Sequence, residues 1–224
     1  LQSPWSYTDE QMRPILAQLL AEHEPEWVGL SVPFPGNLLG GLRIGQWLRA
    51  HHPGVRIALG GGFANTELRT VRDPRLFEYV DAVTLDDGET PLLQLLARRD
   101  EPAAPLRRTF LRRGGTVQYE DTPALPDVPL SEAGTPDYAG LPLGLYLDAI
   151  EQMNPMHALW SDGRWNKLTL AHGCYWARCT FCDVSLDYIA VYEPVAARKL
   201  VDRMEELVAA TGQTGFHFVD EAAP

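Results

Sequence analysis

Along the first hundred residues the apolar positions switch repeatedly between helical and strand spacing. Met12, Ile15, Leu16, Leu19 and Leu20 recur at helical intervals across residues 8–23, with Thr8 or Asp9 placed to cap the helix. Residues 27–32 (WVGLSV) are a short apolar run of the kind a buried strand shows. Pro33, Pro35 and Gly36 then break the chain. A second helical pattern covers residues 38–51, with Leu42, Ile44, Trp47 and Leu48 directed inward. Residues 55–59 read as a strand ending on Gly60, Gly61 and Gly62. Residues 74–77 suit a short helical turn and 80–85 a third strand; 90–97 suit a helix entered through Asp86, Asp87, Gly88 and Glu89. Strands alternating with helices predict an α/β fold, a doubly wound parallel sheet covered on both faces. Its ligand crevice belongs at the C-terminal strand ends, where the 60–62 and 86–89 loops both fall. Three strands are few for such a sheet, so another is expected before residue 8.

The pattern changes after residue 100. Residues 109–112 and 116–119 flank Gly114 and Gly115 and read as a hairpin. Residues 121–136 are rich in proline and acidic side chains, like a linker, and 137–148 suit a docking turn. From Trp165 a second unit begins. It holds a strand at 167–170, a long cysteine-bearing loop at 171–194, an amphipathic helix at 195–211 and a strand at 215–219. That is one βαβ unit. The expected division is a Rossmann-like domain at 1–105, a hairpin and linker at 106–164, and the second unit at 165–224. No internal repeat or low-complexity tract interrupts it.

Composition narrows the function. The 224 residues are 45% hydrophobic and 22% charged, an ordinary globular balance. A net charge of −11 argues against nucleic acid as a partner, because that affinity comes largely from Lys and Arg on phosphates. No apolar run approaches the ~20 residues that span a bilayer. Residues 1–10 lack the basic-then-apolar order of a signal peptide. The three cysteines, Cys174, Cys179 and Cys182, are too few and too close for a disulfide framework. They imply a reducing compartment, the cytoplasm, and metal or redox chemistry.

The chemistry concentrates in residues 171–183 (AHGCYWARCTFCD), with the spacing Cys-x4-Cys-x2-Cys. Thiolates favour zinc, Cu(I) and iron–sulfur clusters. A four-iron cluster usually takes four cysteines, so three leave one iron open. Zinc would need a fourth ligand, for which His172 or Asp183 stands nearby. Three metal-free buried thiols would be the plainest alternative, but Arg178, Thr180 and Asp183 interleave with them, which is unusual for core.

A strand followed by Gly-Cys, then aromatics, then Cys-x-Phe-Cys resembles the radical S-adenosylmethionine enzymes. Their usual motif is Cys-x3-Cys-x2-Cys after the first strand of a (β/α) barrel; here the first gap is one residue longer. The resemblance implies that Cys174, Cys179 and Cys182 ligate a [4Fe–4S] cluster and that S-adenosylmethionine chelates the fourth iron. Reductive cleavage then gives methionine and a 5′-deoxyadenosyl radical. Phe181 matches the family position near the adenine. Asp220 and Glu221 match, without the family's glycines, the strand end that contacts the methionine amino group; as ordinary strand-end residues they would simply be solvated. His172 reads as a structural histidine or as a partner to a cluster sulfur. Trp160, Trp165, Tyr175 and Trp176 read as packing around the loop. His217 lies between Phe216 and Phe218 and therefore points to the opposite face, a substrate-side position in a barrel.

Residues 8–98 resemble the cobalamin-binding domain N-terminal to many radical S-adenosylmethionine enzymes. The matching features are residues 29–32 (GLSV), Gly60-Gly61-Gly62, and residues 80–83 (VDAV) leading to Asp87-Gly88-Glu89. The resemblance implies that Ser31, Gly60, Gly61 and Gly62 face the cobalamin nucleotide tail. The Asp-x-His-x-x-Gly motif that ligates cobalt is not in this sequence, so cobalamin would bind without it or with residues upstream.

The expected function is a radical S-adenosylmethionine iron–sulfur enzyme, with methyl transfer through cobalamin as the extended form. Its partners would be a small-molecule or peptide substrate and an electron donor such as flavodoxin or ferredoxin. The alternatives are a non-catalytic iron–sulfur or zinc module and a cobalamin-binding regulatory domain. Only the first βαβ unit of a barrel is expected here, about 60 residues where a whole barrel takes roughly 200 or more. The sequence therefore reads as a piece of a longer enzyme, inactive alone, its C-terminal unit poorly ordered or docked on the first.

Overall fold

The computed structural model describes residues 1–143 and 165–220. Trp160 and Glu221 lie outside the described residues. The chain forms two compact units, Leu1–Asp127 and Val128–Pro224.

In the first unit, helix α1 (Tyr7–His23) starts at Ser6 rather than at Thr8 or Asp9. Ser6 Oγ accepts the Asp9 N–H at 3.2 Å, and the Asp9 carboxylate accepts the Ser6 N–H at 2.8 Å. This reciprocal cap satisfies two N–H groups that the first turn leaves orphaned. The Ser6 backbone bond, foremost, draws the Asp9 carboxyl below its usual range. The chain continues through β1 (Trp27–Ser31), α2 (Pro35–His51), β2 (Arg56–Gly60) and α3 (Gly62–Glu67). A 3₁₀ turn (Pro74–Glu78), β3 (Ala82–Thr84) and α4 (Glu89–Ala97) follow. Helix α2 begins earlier than its apolar pattern because Pro35 occupies the first turn, where a missing N–H costs nothing. Helix α3 is six residues long, too short for a helical period to register.

Strands β1, β2 and β3 are parallel neighbours in chain order. The hairpin β4 (Thr109–Arg113) and β5 (Thr116–Glu120) continues the same sheet antiparallel, pairing Val83 with Phe110. The hairpin is thus part of the first domain's sheet and not of the linker. The result is a mixed five-stranded α/β sheet of Rossmann-like character.

Strand alternation sorts the sheet into two unequal faces. Val28, Leu30, Ile57, Leu59, Val83 and Phe110 pack against Leu20, Trp47, Leu48 and Phe77 from α1, α2 and the 3₁₀ turn. The fully buried side chains among them are each worth about 1.5–3 kcal/mol of burial, so this face carries most of the unit's stability. The other face is built from smaller residues, Ala58 and Ala82, which pack with Leu95 of α4, Leu106 and Leu111.

Arg108 fastens the following segment to the sheet. It is buried, with φ 41°, and its Nε donates to the Leu85 carbonyl at 3.3 Å. Its Nη1 donates to Asp127 at 2.8 Å, and Asp86 lies 3.4 Å from its Nε. Desolvation opposes its charge, but Asp127, Asp86 and Asp87 together hold its pKa above the usual value. The Arg108 hydrogen bond in turn holds the Asp127 carboxyl below its usual range.

The second unit pairs β6 (Trp165–Leu168) in parallel with β9 (Gly215–Phe218) across helix α5 (Ala197–Thr211). Asn166 and Leu168 are buried; Asn166 Oδ1 accepts from Thr211 Oγ at 2.9 Å at the end of α5. Gly212 ends that helix with φ 72°, a conformation glycine adopts without strain. Arg203 of α5 is buried and donates to the carbonyls of Leu130 and Ser131 at 2.9 and 3.2 Å. The strand read at 167–170 is β6, and the segment read as a loop at 171–194 opens and closes on a short strand pair, β7 (Ala171–Gly173) antiparallel with β8 (Tyr192–Pro194). Among the described residues no helix is long and apolar enough to cross a membrane.

Candidate functional site

At the C-terminal ends of β1, β2 and β3 the small-residue face of the sheet is left open. Gly29 and Ser31 of β1, Ala58 and Gly60 of β2, and Thr84 of β3 share that face by strand parity and register. With Gly61, Gly88, Glu89 and Leu92 they line a cleft of about 410 Å³. A Cβ at Gly29 or Gly88 would meet nothing within 4 Å, so the missing bulk there serves no internal packing. The Gly60–Gly62 turn differs. A Cβ at Gly60 would come within 2.9 Å of Thr84 Oγ1, and one at Gly62 within 3.0 Å of the Pro33 carbonyl. Gly61 has φ 97° and would press its Cβ onto Val32 N at 2.8 Å. Gly60 meets only the side-chain hydroxyl of Thr84 on the neighbouring strand, whereas Gly61 and Gly62 are required by the chain's own crossing. There the Val32 N–H donates to Gly60 O and the Phe63 N–H to Val32 O, at 2.8 and 2.9 Å. Gly60 and Gly61 also line the cleft; Gly62 is not among its lining residues.

In the second unit the cysteine loop springs from the β7–β8 hairpin. Gly173, with φ 73°, is the last residue of β7, and a Cβ there would overlap the Val191 carbonyl oxygen. Only glycine turns the chain sharply enough to deliver Cys174 at that point. Ala177, with φ 44°, makes a second left-handed turn within the longer first gap. The Cys182 N–H then donates to Cys179 O at 3.3 Å, a tight turn that sets the last two thiols close in sequence and space. All three cysteines are half-buried and free of disulfides. Burial, then the neighbouring thiols of Cys179 and Cys174, push the Cys182 thiol above its ordinary value. Asp183 is occupied, accepting the Ser185 N–H at 3.2 Å, and so closes the turn after Cys182.

Asp220, just past the end of β9, supports this loop. Its Oδ1 accepts the N–H groups of Leu170 and Ala171 at 2.8 and 2.7 Å, pinning the crossing from β6 to β7. Its Oδ2 is shielded from solvent and has no hydrogen-bond partner among the described residues. Around the loop, Tyr175 and Trp176 are exposed, and Phe181 is 87% exposed. Three thiols on a glycine-hinged loop are a donor set that fits a thiophilic metal or an iron–sulfur cluster. Among the described residues, no three His, Cys, Asp or Glu side chains are drawn together as a metal-holding group.

The likeness in fold is to a cobalamin-dependent enzyme. The chain is similar to the solved structure of apo, SeMet-labelled OxsB, a cobalamin-dependent S-adenosylmethionine radical enzyme, with a TM-score of 0.61 at 18% identity. The match covers 92% of this chain and spans 27% of that enzyme's length. At that identity it establishes the fold. No protein-family model matches the sequence, and no curated protein matches it.

The site residues read from the sequence therefore fall in two places. Ser31, Gly60 and Gly61 meet at the cleft of the first unit, and Cys174, Cys179, Cys182 and Phe181 share the loop of the second. Asp220 stands at the root of that loop. Gly29 stood within the matched residues 29–32, but sequence reading passed over Thr84 and Leu92 as cleft residues. The signal that would have found Thr84 is the pairing of Gly29 and Ser31, Ala58 and Gly60, and Ala82 and Thr84 at strand spacing. Small residues at alternate positions of three adjacent strands mark a sheet face left clear. His217 does lie opposite the stacked Phe216 and Phe218 rings, which share a face with centroids 6.4 Å apart. Its partner, Lys167, carried no periodic signal.

Proposed function

We propose that this chain is the cofactor-binding part of a radical S-adenosylmethionine enzyme and that Cys174, Cys179 and Cys182 are its cluster ligands. The observation that supports the reading best is the Gly173 hinge. It delivers three free thiols from a strand end within a βαβ unit, in a chain that also carries a Rossmann-like cleft. Loaded with a [4Fe–4S] cluster and S-adenosylmethionine, such a site supplies one-electron cleavage of a sulfonium to a carbon radical. The chain's own residues hold and orient. Gly173 and Ala177 shape the loop, Asp220 fixes its root, and exposed Phe181 is free to close over a bound adenine. The unpartnered Asp220 Oδ2 is suited to a ligand ammonium, a role the family resemblance also extends to Glu221. In the first unit, the cleft over Gly29, Ser31 and Thr84 suits a flat, largely apolar group such as the benzimidazole base at the end of the cobalamin nucleotide tail, and Leu92 offers an apolar wall. The substrate, small molecule or peptide, and a flavodoxin or ferredoxin donor belong to the whole enzyme.

Anaerobic reconstitution with iron and sulfide tests the reading. A brown protein with about four irons per chain supports it. Colourless protein holding one zinc and no iron overturns it in favour of a zinc module. Cobalamin retained on gel filtration by the chain, and lost on filling the cleft, supports the second cofactor.

A further inference from the structure

Lys167 and His217 face each other directly across the β6–β9 pair. The Lys167 ammonium lies 2.6 Å from His217 Nδ1. An ammonium has only hydrogens to give, so it donates, Nδ1 accepts, and the ring proton resides on Nε2. The pair keeps its positive charge, two further ammonium N–H groups and one imidazole N–H. Both side chains are exposed, and among the described residues no carboxylate pairs with either. They lie on the side of the strand pair opposite buried Asn166 and Leu168, hence opposite α5.

Trp165 completes the same face. Its ring lies over its register partner Gly215, where a Cβ would come within 2.5 Å of the indole. It also meets the His217 ring edge-on at 5.9 Å. Gly215 thus holds open the space that the indole fills, and the indole walls one side of the basic pair. Composition sharpens the point. Of 19 basic Lys and Arg residues only two, Lys167 and Lys199, are lysines, in a chain of net charge −11. A basic pair with no acidic partner among the described residues runs against that background. A lysine, unlike the arginine used almost everywhere else, offers a compact point charge that seats against an imidazole nitrogen.

We infer that Lys167 and His217 bind an anionic group, a carboxylate or a phosphate, with the Trp165 indole against the adjoining carbon skeleton. Its assignment to the substrate rests on the functional reading above; anion binding itself does not.

The test uses the 224-residue chain without iron, so that its failure is separable from failure of cluster assembly. Histidine-selective labelling gives one imidazole signal per histidine, and His217→Gln identifies that of His217. Sodium phosphate and sodium acetate are titrated separately at ionic strength held constant with chloride. The expected result is a saturable shift of the His217 signal with one or both anions, the stronger naming the anion class. Lys167→Met should weaken that affinity at least tenfold, and Lys167→Arg should weaken it less. The other histidine signals, unmoved in both variants, report an intact fold. A His217 shift equal to the chloride control, or equal affinity in Lys167→Met, overturns the inference.

Discussion

Gly173 is the single residue on which the cysteine loop most depends. Its φ of 73° is strained for any other side chain, and its Cα hydrogen faces the Val191 carbonyl with no room for a methyl. Gly173→Ala should therefore break the β7–β8 pairing at Gly173 and Tyr192 and displace Cys174. Reconstituted chain should retain less than half the wild-type iron, with folding of the first unit unchanged by circular dichroism. Cys174→Ala, Cys179→Ala and Cys182→Ala should each lose the cluster, because two thiolates do not hold it; wild-type iron in any one would remove that cysteine from the ligand set. Asp220→Asn keeps an acceptor oxygen for Leu170 and Ala171 but removes the charge. It should leave iron content intact and weaken S-adenosylmethionine binding about tenfold, measured by equilibrium dialysis of the reconstituted chain. At this scale the cysteines were legible, because three thiols in nine residues have few uses. Asp220 as a backbone anchor was not, because its partners Leu170 and Ala171 are brought to it only by the β6–β9 pairing.

At the scale of the element, the sheet's two faces set different rules for the same residue type. Gly29 and Gly61 both line the cleft, yet only Gly61 is needed for the fold. Gly29→Val places two methyls into open space on a strand that favours β-branched side chains. Stability should be unchanged or slightly raised, while cobalamin retention falls at least tenfold. Gly61→Ala should cost about 1–3 kcal/mol through backbone strain and the Val32 contact. Urea unfolding of the two variants, set beside cobalamin retention, separates fold from site; equal retention in Gly29→Val would empty the cleft of its assigned role. The same contrast explains what the sequence showed of this unit. Helices α1 and α2 announced themselves by the period of their apolar positions, and strands β1 to β3 as short apolar runs closed by turn residues. The attachment of the hairpin to β3 did not, because strand neighbours are a matter of register and not of local pattern. Of the glycine triplet, Gly60 and Gly61 line the cleft, while Gly61 and Gly62 also answer to Val32 and Pro33, contacts that the sequence alone does not display.

Across the whole molecule, the chain divides at Asp127 and Val128, and the two units rest on different interactions. The first is closed by Arg108, whose charge is met by Asp127 and Asp86; the second is closed at β7 and β8 beside the cysteine loop. They should therefore respond to different perturbations. Asp127 titrates below the ordinary carboxylate value in the folded chain, so the folded state holds fewer protons than the unfolded one near that pH. Its contribution is complete above pH ~4, the unfolded value, and fades as pH falls through its lowered folded value. Asp127→Asn leaves Arg108 buried with a weaker acceptor and should cost the first unit about 1–3 kcal/mol at neutral pH. The deficit should shrink toward zero as wild type and variant are both acidified. Iron loading acts elsewhere, since a metal bound only by folded protein raises the stability of the unit that holds it. Scanning calorimetry of the apo chain should resolve two transitions. Asp127→Asn should lower one by several degrees, and anaerobic reconstitution should raise only the other. A single transition that moves with both treatments would mean that the cysteine loop and the Arg108 clamp belong to one cooperative structure.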